Sequence, residues 1–210
     1  YGAGTGGVVL LHSGDDAAAE IKKRQLSASV TGGSFGLFKQ SLGWYINEKK
    51  TRISIYQDHQ RATGYREQSA LHRDALAARI SHQIGKQIFS VQMLYSNIFY
   101  QTPGALTLSQ FQQNPASARL ATPSLPGAVA QNSSVTNETN QFALSHLFKL
   151  SSSWQLESFV MAGSTNFSNP FITNYEHRKE NNMGWGTQIR YTRKKQKTFF
   201  EDLKTAEFIT

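Results

Sequence analysis

The sequence predicts an all-β fold of antiparallel strands, and three observations support this prediction. Several segments alternate apolar and polar residues with a period of two, most clearly where Phe89, Val91, Met93 and Tyr95 share one face. Aromatic residues reach 11% although the apolar fraction is only 39%, which favours sheet surfaces over helix bundles. Tight turns also alternate with longer polar loops, so all long loops are expected at one end of the sheet.

Composition excludes several classes of protein and site. The 210 residues include no cysteine, which excludes disulfides, thiolate metal sites and cysteine nucleophiles. No window approaches 18 uninterrupted apolar residues, so a transmembrane helix is not predicted. The net charge of +8 comes mainly from basic clusters between candidate strands, at 22–24, 49–50 and 193–197. Such clusters are typical of solvated turns, and the alternative is a surface for nucleic acid.

The chain opens on a glycine-rich segment that leads into the short apolar run Val8–Leu11. The spacing of Gly2, Gly4 and Gly7 satisfies the GxGxxG pattern, but a dinucleotide site needs a strand before it and a helix after it. Residues 8–11 are branched and apolar where that helix would start, so no nucleotide site is predicted. We expect instead that the chain opens inside a structure whose earlier part lies upstream.

The first half of the chain predicts five strands. The first begins near Ile21 and ends at Gly32-Gly33, and Leu42, Trp44 and Ile46 share one face of the second. A hairpin signal at 47–50 separates the second strand from the third, and Gly85-Lys86 predicts another tight turn. The remaining strands are expected around 53–56, 72–84 and 89–96, with a polar loop at 61–71.

The second half begins with the long segment 101–137, which holds four of the five prolines. A connection of this length is usually functional, and residues 106–111 predict a short helix within it. Strands are then expected at 142–148 and 156–162, followed by a polar excursion over 166–182 and a strand from Trp185 to Thr192. Residues 199–208 predict an incomplete further strand, which brings the count to about nine.

Two architectures fit this pattern of strands. Aromatic residues near strand ends fit the interfacial girdles of a transmembrane β-barrel: Trp44, Tyr45, Tyr100, Trp154, Trp185 and Phe199. A soluble antiparallel sandwich with uneven loops fits the same residues. Single-chain bacterial barrels have an even number of strands, so nine strands that stop at Thr210 predict only part of a barrel.

Four segments, in order, carry a family resemblance. They are Tyr1-Gly-Ala-Gly-Thr-Gly-Gly-Val-Val-Leu-Leu11, Gly64-Tyr-Arg-Glu-Gln-Ser-Ala70 with Arg73-Asp74, Thr102-Pro-Gly-Ala-Leu-Thr-Leu108 with Gln110-Phe111, Asn114-Pro115 and Ala118-Arg119, and Asn169-Pro-Phe-Ile-Thr-Asn-Tyr-Glu-His-Arg178. Together they resemble a TonB-dependent outer-membrane receptor of the iron- or siderophore-uptake type. The resemblance implies that residues 1–14 end a plug domain, with Gly2, Gly4, Gly6 and Gly7 at the plug–barrel junction. Residues 15–210 would then form the first strands of an antiparallel transmembrane barrel of about 22 strands.

The resemblance also implies a function. Such a protein lies in the bacterial outer membrane among lipid, imports ferric siderophores or similar chelates, and contacts TonB through a segment upstream of this chain. Cobalamin or glycan import is the alternative within the family, and a soluble basic β-domain that binds nucleic acid is the alternative outside it. No enzyme is expected, because serine and histidine residues without a defined mutual geometry carry little weight as a catalytic arrangement. No cofactor and no protein metal site are expected either, because the six histidines lack HxxxH or His-x-His spacing.

Ligand contacts are expected in the outer loops. The candidates are Tyr65, Arg66, Tyr100, Gln101, Arg119, Asn174, Tyr175 and Arg178. Arginine suits bidentate recognition of carboxylate or catecholate groups, and tyrosine offers a ring face with a hydroxyl. The alternative is that these residues pack the loops against one another or against the plug.

Overall fold

The computed structural model describes residues 24–170 and 175–192, and the backbone of 207–209. Each strand pairs antiparallel with the next in one sequential sheet. The strands are β1 (Arg24–Gly32), β2 (Phe38–Glu48), β3 (Thr51–Ala62), β4 (Leu71–Ile84), β5 (Gln87–Gln101), β6 (Ser134–Lys149), β7 (Trp154–Pro170), β8 (Tyr175–Thr192) and the short β9 (Glu207–Ile209). The predicted plug remnant and its four glycines lie outside the described residues.

Three of the predicted tight turns, at 49–50, 85–86 and 150–153, lie at one end of the sheet. Two of the predicted long loops, 63–70 and 102–133, lie at the other end, together with the short β1–β2 turn at 33–37. The long loop contains α1 (Leu108–Gln113), confirming the predicted helix, and α2 (Ala128–Gln131), which was not predicted. Neither helix is long and apolar enough to cross a membrane.

The prediction of a polar excursion over 166–182 was wrong. Strand β7 continues to Pro170 and β8 begins at Tyr175, with Asn166 opposite Lys179 and Ser168 opposite His177. Polar side chains on both faces removed the alternation that would have indicated strands. The backbone hydrogen bonds between β7 and β8 satisfy the peptide groups regardless of the side chains.

The register places most large apolar side chains on one face, which we call the apolar face. Eight of them show the pattern and are 43–80% exposed: Leu42, Trp44, Leu76, Ile80, Met93, Phe142, Val160 and Trp185. The opposite, polar face carries Ser54, Gln92, Gln141 and Gln188, with Tyr56, Leu94, Phe159 and Met161 as its larger apolar members. Within the described part of the chain the only buried hydrophobic residues are Ala118 and Ala128, both in the long loop. The sheet therefore has no apolar core of its own.

The large apolar side chains of the apolar face occupy only part of the length of each strand. The apolar stretch runs through 76–84, 87–95 and 154–162, each about nine residues, close to the length that crosses a bilayer as a tilted strand. We call this stretch the apolar band. Towards the long loops, the next row on the same face is polar throughout: His59, Asp74, Asn97, Glu138, Asn166 and Lys179.

Candidate functional site

The long loops at one end of the sheet pack against each other, and we call 63–70 and 102–133 the outer loop pair. The backbone N–H of Glu67 donates to the carbonyl oxygen of Ala116 at 2.8 Å. The carboxylate of Glu67 in turn accepts from the backbone N–H of Ala118 at 3.2 Å. These bonds hold the two loops in one fixed arrangement.

Two of the predicted ligand residues take part in this packing. Arg66 donates from Nε and Nη2 to the carbonyl oxygen of Ser117, at 3.0 Å each. The backbone N–H of Gln101 donates to the carbonyl oxygen of Ala70 at 2.8 Å, and its side-chain oxygen accepts from the N–H of Ala70 at 3.2 Å. For Arg66 and Gln101 the geometry is that of loop packing, and their contact with a ligand stays a prediction.

Arg119 lies within the long loop, against the backbone of Gly104. Its Nη2 donates to the carbonyl oxygen of Pro126 at 2.8 Å, while its buried Nε and Nη1 have no hydrogen-bond partner among the described residues. Gly104 has φ +73°, and a Cβ there would come within 2.8 Å of the Cβ of Arg119. A guanidinium with unsatisfied buried donors favours an anionic or carbonyl acceptor nearby.

A groove opens beside Arg66 where α1 crosses the outer loop pair. It has a volume of about 420 Å³ and is lined by Arg66, Leu106, Thr107, Leu108, Phe111 and Pro115. Thr107 and Gln110 form a capping box that fixes the start of α1. Leu108 and Phe111 were not predicted as site residues, although apolar residues in an otherwise polar loop are a signal that could have identified them. A groove of this size, with one cation and apolar walls, suits a small anionic ligand.

The predicted tyrosines present exposed rings. Tyr65 is 53% exposed and meets Phe35 of the β1–β2 turn edge-to-face, with ring centroids 5.4 Å apart. Tyr100 is also exposed and lies near the end of β5. Both rings lie at the same end of the sheet as the outer loop pair.

The third predicted loop differs from the first two. Asn174 lies outside the described residues, and Tyr175 is exposed at the start of β8. Arg178 lies within β8, where it pairs with Glu176 at 2.7 Å and Glu180 at 2.6 Å, above the ring of Phe167. Strand β7 separates it from the outer loop pair, so the described structure does not bring it together with Arg66 and Arg119.

The polar face carries a buried carboxylate just beyond the apolar band. Asp58 is fully buried, accepts a hydrogen bond from Ser41 Oγ at 2.6 Å, and lies 3.6 Å from Lys39 Nζ and 3.4 Å from Arg73 Nη2. The Ser41 hydrogen bond lowers the pKa of Asp58, and the charges of Lys39 and Arg73 add to this effect against the opposing effect of burial. The carboxylate therefore stays ionised and joins β2, β3 and β4.

A second carboxylate, Asp74, lies in the polar row on the other face. Its pKa is lowered mainly by the hydrogen bond with His59, and the hydrogen bond with His72 acts in the same direction against burial. Two imidazoles thus share one ionised carboxylate at the loop end of β3 and β4.

Comparison with solved structures finds this fold in iron-import proteins. The ferric citrate transporter FecA, in the unliganded form, matches with a TM-score of 0.57 and 14% identity, over 79% of this chain and 24% of that chain. The ferric-catecholate import receptor Fiu from E. coli K12 matches in its closed form with a TM-score of 0.55 and 10% identity, over 81% and 29% of the two chains. Its open form gives 0.56 and 8%, over 80% and 31%. No protein-family model and no curated protein sequence matches the chain.

The likeness at these identities is one of fold. It confirms the predicted fold class, an antiparallel β-barrel segment with almost no helix. The chain spans roughly a quarter to a third of the length of the structures it matches. The matches do not test the candidate ligand residues, which stay predictions.

Proposed function

We propose that this chain forms wall strands and outer loops of a TonB-dependent transporter that imports ferric siderophores or similar iron chelates through a bacterial outer membrane. The four resembling segments support this proposal, as does the shared fold with a ferric citrate transporter and a ferric-catecholate receptor. The observation that carries it is the exposed apolar band, because that band requires a covering medium.

Lipid is the covering that fits the band best. The band is about nine residues deep on each of several adjacent strands, and a fully polar row bounds it on the loop side. Trp154 and Tyr191 pair at the tight-turn end, with ring centroids 4.8 Å apart, where an aromatic girdle is expected. The opposite face, with the Asp58 ion cluster, has the polar character of a barrel lumen.

The remaining assignments rest on this proposal. Residues 1–14 would end the plug and residues 15–210 would continue as barrel, with TonB engaged through an upstream segment. The chelate would enter between the outer loops, where the groove beside Arg66 offers a cationic contact. Contact with the buried donors of Arg119 would require the long loop to open. Tyr65 and Tyr100 would add ring contacts at the same end.

Uptake of labelled chelates tests the proposal. A strain that lacks the gene for this protein, grown under iron limitation, should lose uptake of radiolabelled iron supplied as ferric citrate or as a ferric catecholate. Complementation should restore uptake, and collapse of the inner-membrane proton gradient should abolish it. Entry of a small sugar through general porins is the control and should not change. Unaltered uptake of every iron chelate tested would contradict the proposal.

A further inference from the structure

Two histidines and one aspartate meet at the loop end of β3 and β4, outside the apolar band. The Nδ1 atom of His59 lies 2.7 Å from Asp74 Oδ1, and the Nε2 atom of His72 lies 2.6 Å from Asp74 Oδ2. The three ligand atoms lie within 4.8 Å of one another. The two imidazole rings also meet edge-to-face, with centroids 5.3 Å apart.

The strand register creates this cluster. His59 lies directly opposite Asp74 on the neighbouring strand, and His72 precedes Asp74 by two residues on the same face. Histidines on different strands, 13 residues apart, match no linear metal motif. The absence of such linear motifs was one reason why no metal site was expected.

We propose that His59, His72 and Asp74 form a binding site for a divalent transition-metal ion of the zinc, nickel or copper class. Two imidazole nitrogens and one carboxylate oxygen form a ligand set typical of zinc sites that keep an open coordination position. Imidazole ligands select these metals over magnesium and calcium, which prefer oxygen ligands. An open position leaves room for water or for an exogenous ligand.

Small side-chain movements are enough to admit the ion. A tetrahedral ion with bonds of about 2.0–2.1 Å holds its ligand atoms roughly 3.4 Å apart, so the two short His–Asp contacts must widen by less than about 1 Å. The two imidazole nitrogens, which lie within 4.8 Å of each other, must approach by no more than about 1.4 Å. The side chains are 24%, 46% and 38% exposed for His59, His72 and Asp74. An ion can therefore enter from solvent, and the side chains have space to adjust.

Neighbouring residues support the site. Asn97 lies opposite Asp74 in the next strand, and its buried Oδ1 has no hydrogen-bond partner among the described residues. This oxygen is available to a bound ion or to an ion-bound water. The ring of Phe38 packs at 6.0 Å against His59 and restricts its orientation.

Two arginines lie near the site, and Arg61, opposite His72 on β3, stacks over the ring of Phe38. Arg73, although adjacent to Asp74 in sequence, points to the polar face and pairs with Asp58. Asp74 is therefore contacted by two imidazoles rather than by that guanidinium. Metal binding would replace these hydrogen bonds with coordination by the same nitrogen and oxygen atoms.

The test uses the purified protein in detergent micelles, with Co²⁺ as the optical probe and Zn²⁺ as the competitor. We expect one equivalent of Co²⁺ to give visible ligand-field absorption, which Zn²⁺ removes, and titration calorimetry to give the same stoichiometry. His72→Ala and His59→Ala should each raise the Kd at least about tenfold, because even losses outside the first coordination shell cost this much. His177→Ala alters an exposed histidine on β8 and should leave the Kd unchanged.

Two results would overturn the proposal. One is the absence of saturable Co²⁺ or Zn²⁺ binding by the parent protein. The other is binding of equal affinity by the double variant His59→Ala/His72→Ala. Thermal melts with and without Zn²⁺ add a readout independent of absorption, since an ion bound only by the folded state raises the Tm of the parent protein and not that of the double variant. Neither result depends on whether the protein transports iron.

Discussion

Arg66 donates two hydrogen bonds, each of 3.0 Å, to the carbonyl oxygen of Ser117, which lies 51 residues further along the chain. This contact ties the two members of the outer loop pair together. A ligand that used the same Nε–Nη2 edge of the guanidinium would have to displace the carbonyl group. Binding of an anionic chelate by Arg66 would therefore compete with the hydrogen bonds that hold the outer loop pair together.

Replacement of Arg66 by lysine should loosen the outer loop pair. Lysine keeps the charge but cannot donate two parallel hydrogen bonds to one carbonyl oxygen. We expect faster hydrogen exchange at the backbone amides of Glu67 and Ala118, measured by mass spectrometry. Arg52→Lys, at the opposite end of the sheet, is the control and should leave exchange in the loops unchanged. Weakened chelate binding with unaltered exchange would instead show that Arg66 contacts the ligand directly.

Gly64→Ala should destabilise the protein more than Gly85→Ala. Both glycines have positive φ, +83° and +58°, so alanine carries a backbone penalty of about 1 kcal/mol at either position. At Gly64 a Cβ would also lie 2.4 Å from the carbonyl oxygen of Ser69, whereas at Gly85 nothing lies within 4 Å. Urea midpoints of both variants are measured in lipid vesicles. Their difference reports the steric effect at Gly64, because the backbone penalty is common to both positions. Equal midpoints would show that the 63–70 loop shifts to accept the methyl group.

The sequence predicted the parts of the fold that depend on local alternation. Strand β5 shows a period of two, and the turns at 49–50 and 85–86 carry hairpin residues, so these elements could be placed from the chain alone. The extension of β7 to Pro170 and the start of β8 at Tyr175 could not be predicted, because most side chains of these outer halves are polar on both faces. Only cross-strand pairing shows that those residues are strands.

The candidate site was predictable to a smaller degree. Arg66 and Arg119 lie in loops whose composition already indicated function. The sequence alone does not show which residue each side chain contacts, namely Ser117 for Arg66, and Asp74 for both His59 and His72. Such partners depend on register and loop packing, and both are determined by contacts between residues distant in sequence.

Asp58→Asn should lower the free energy of unfolding by roughly 1–3 kcal/mol, because it removes the buried counter-charge shared by Lys39 and Arg73. This loss of unfolding free energy is smaller than for a fully buried ion pair, because the side chains of Lys39 and Arg73 are both about two-fifths exposed. Glu48→Gln breaks the exposed pair with Arg24 and should cost less than about 1 kcal/mol. Urea unfolding followed by tryptophan fluorescence measures both. Equal losses of unfolding free energy in the two variants would show that a buried Asp58 contributes no more stability than an exposed ion pair.

The substitutions Ala78→Arg and Ala77→Arg test which face of the sheet meets lipid. These adjacent residues point to opposite faces: Ala78 lies between Ile55 and Met93 in the apolar band, and Ala77 lies between Tyr56 and Leu94 on the polar face. In lipid vesicles Ala78→Arg should cost at most about 2–4 kcal/mol, the range for a cation at the bilayer midplane, and less because Ala78 lies two residues from the loop-side end of the band. Ala77→Arg should cost less, since its side chain can reach the polar groups of the polar face. Folding yield and urea midpoints in vesicles measure the difference. If Ala77→Arg were the more damaging variant, the lipid-facing and lumen-facing sides would be reversed, and the transporter proposal would lose its main support.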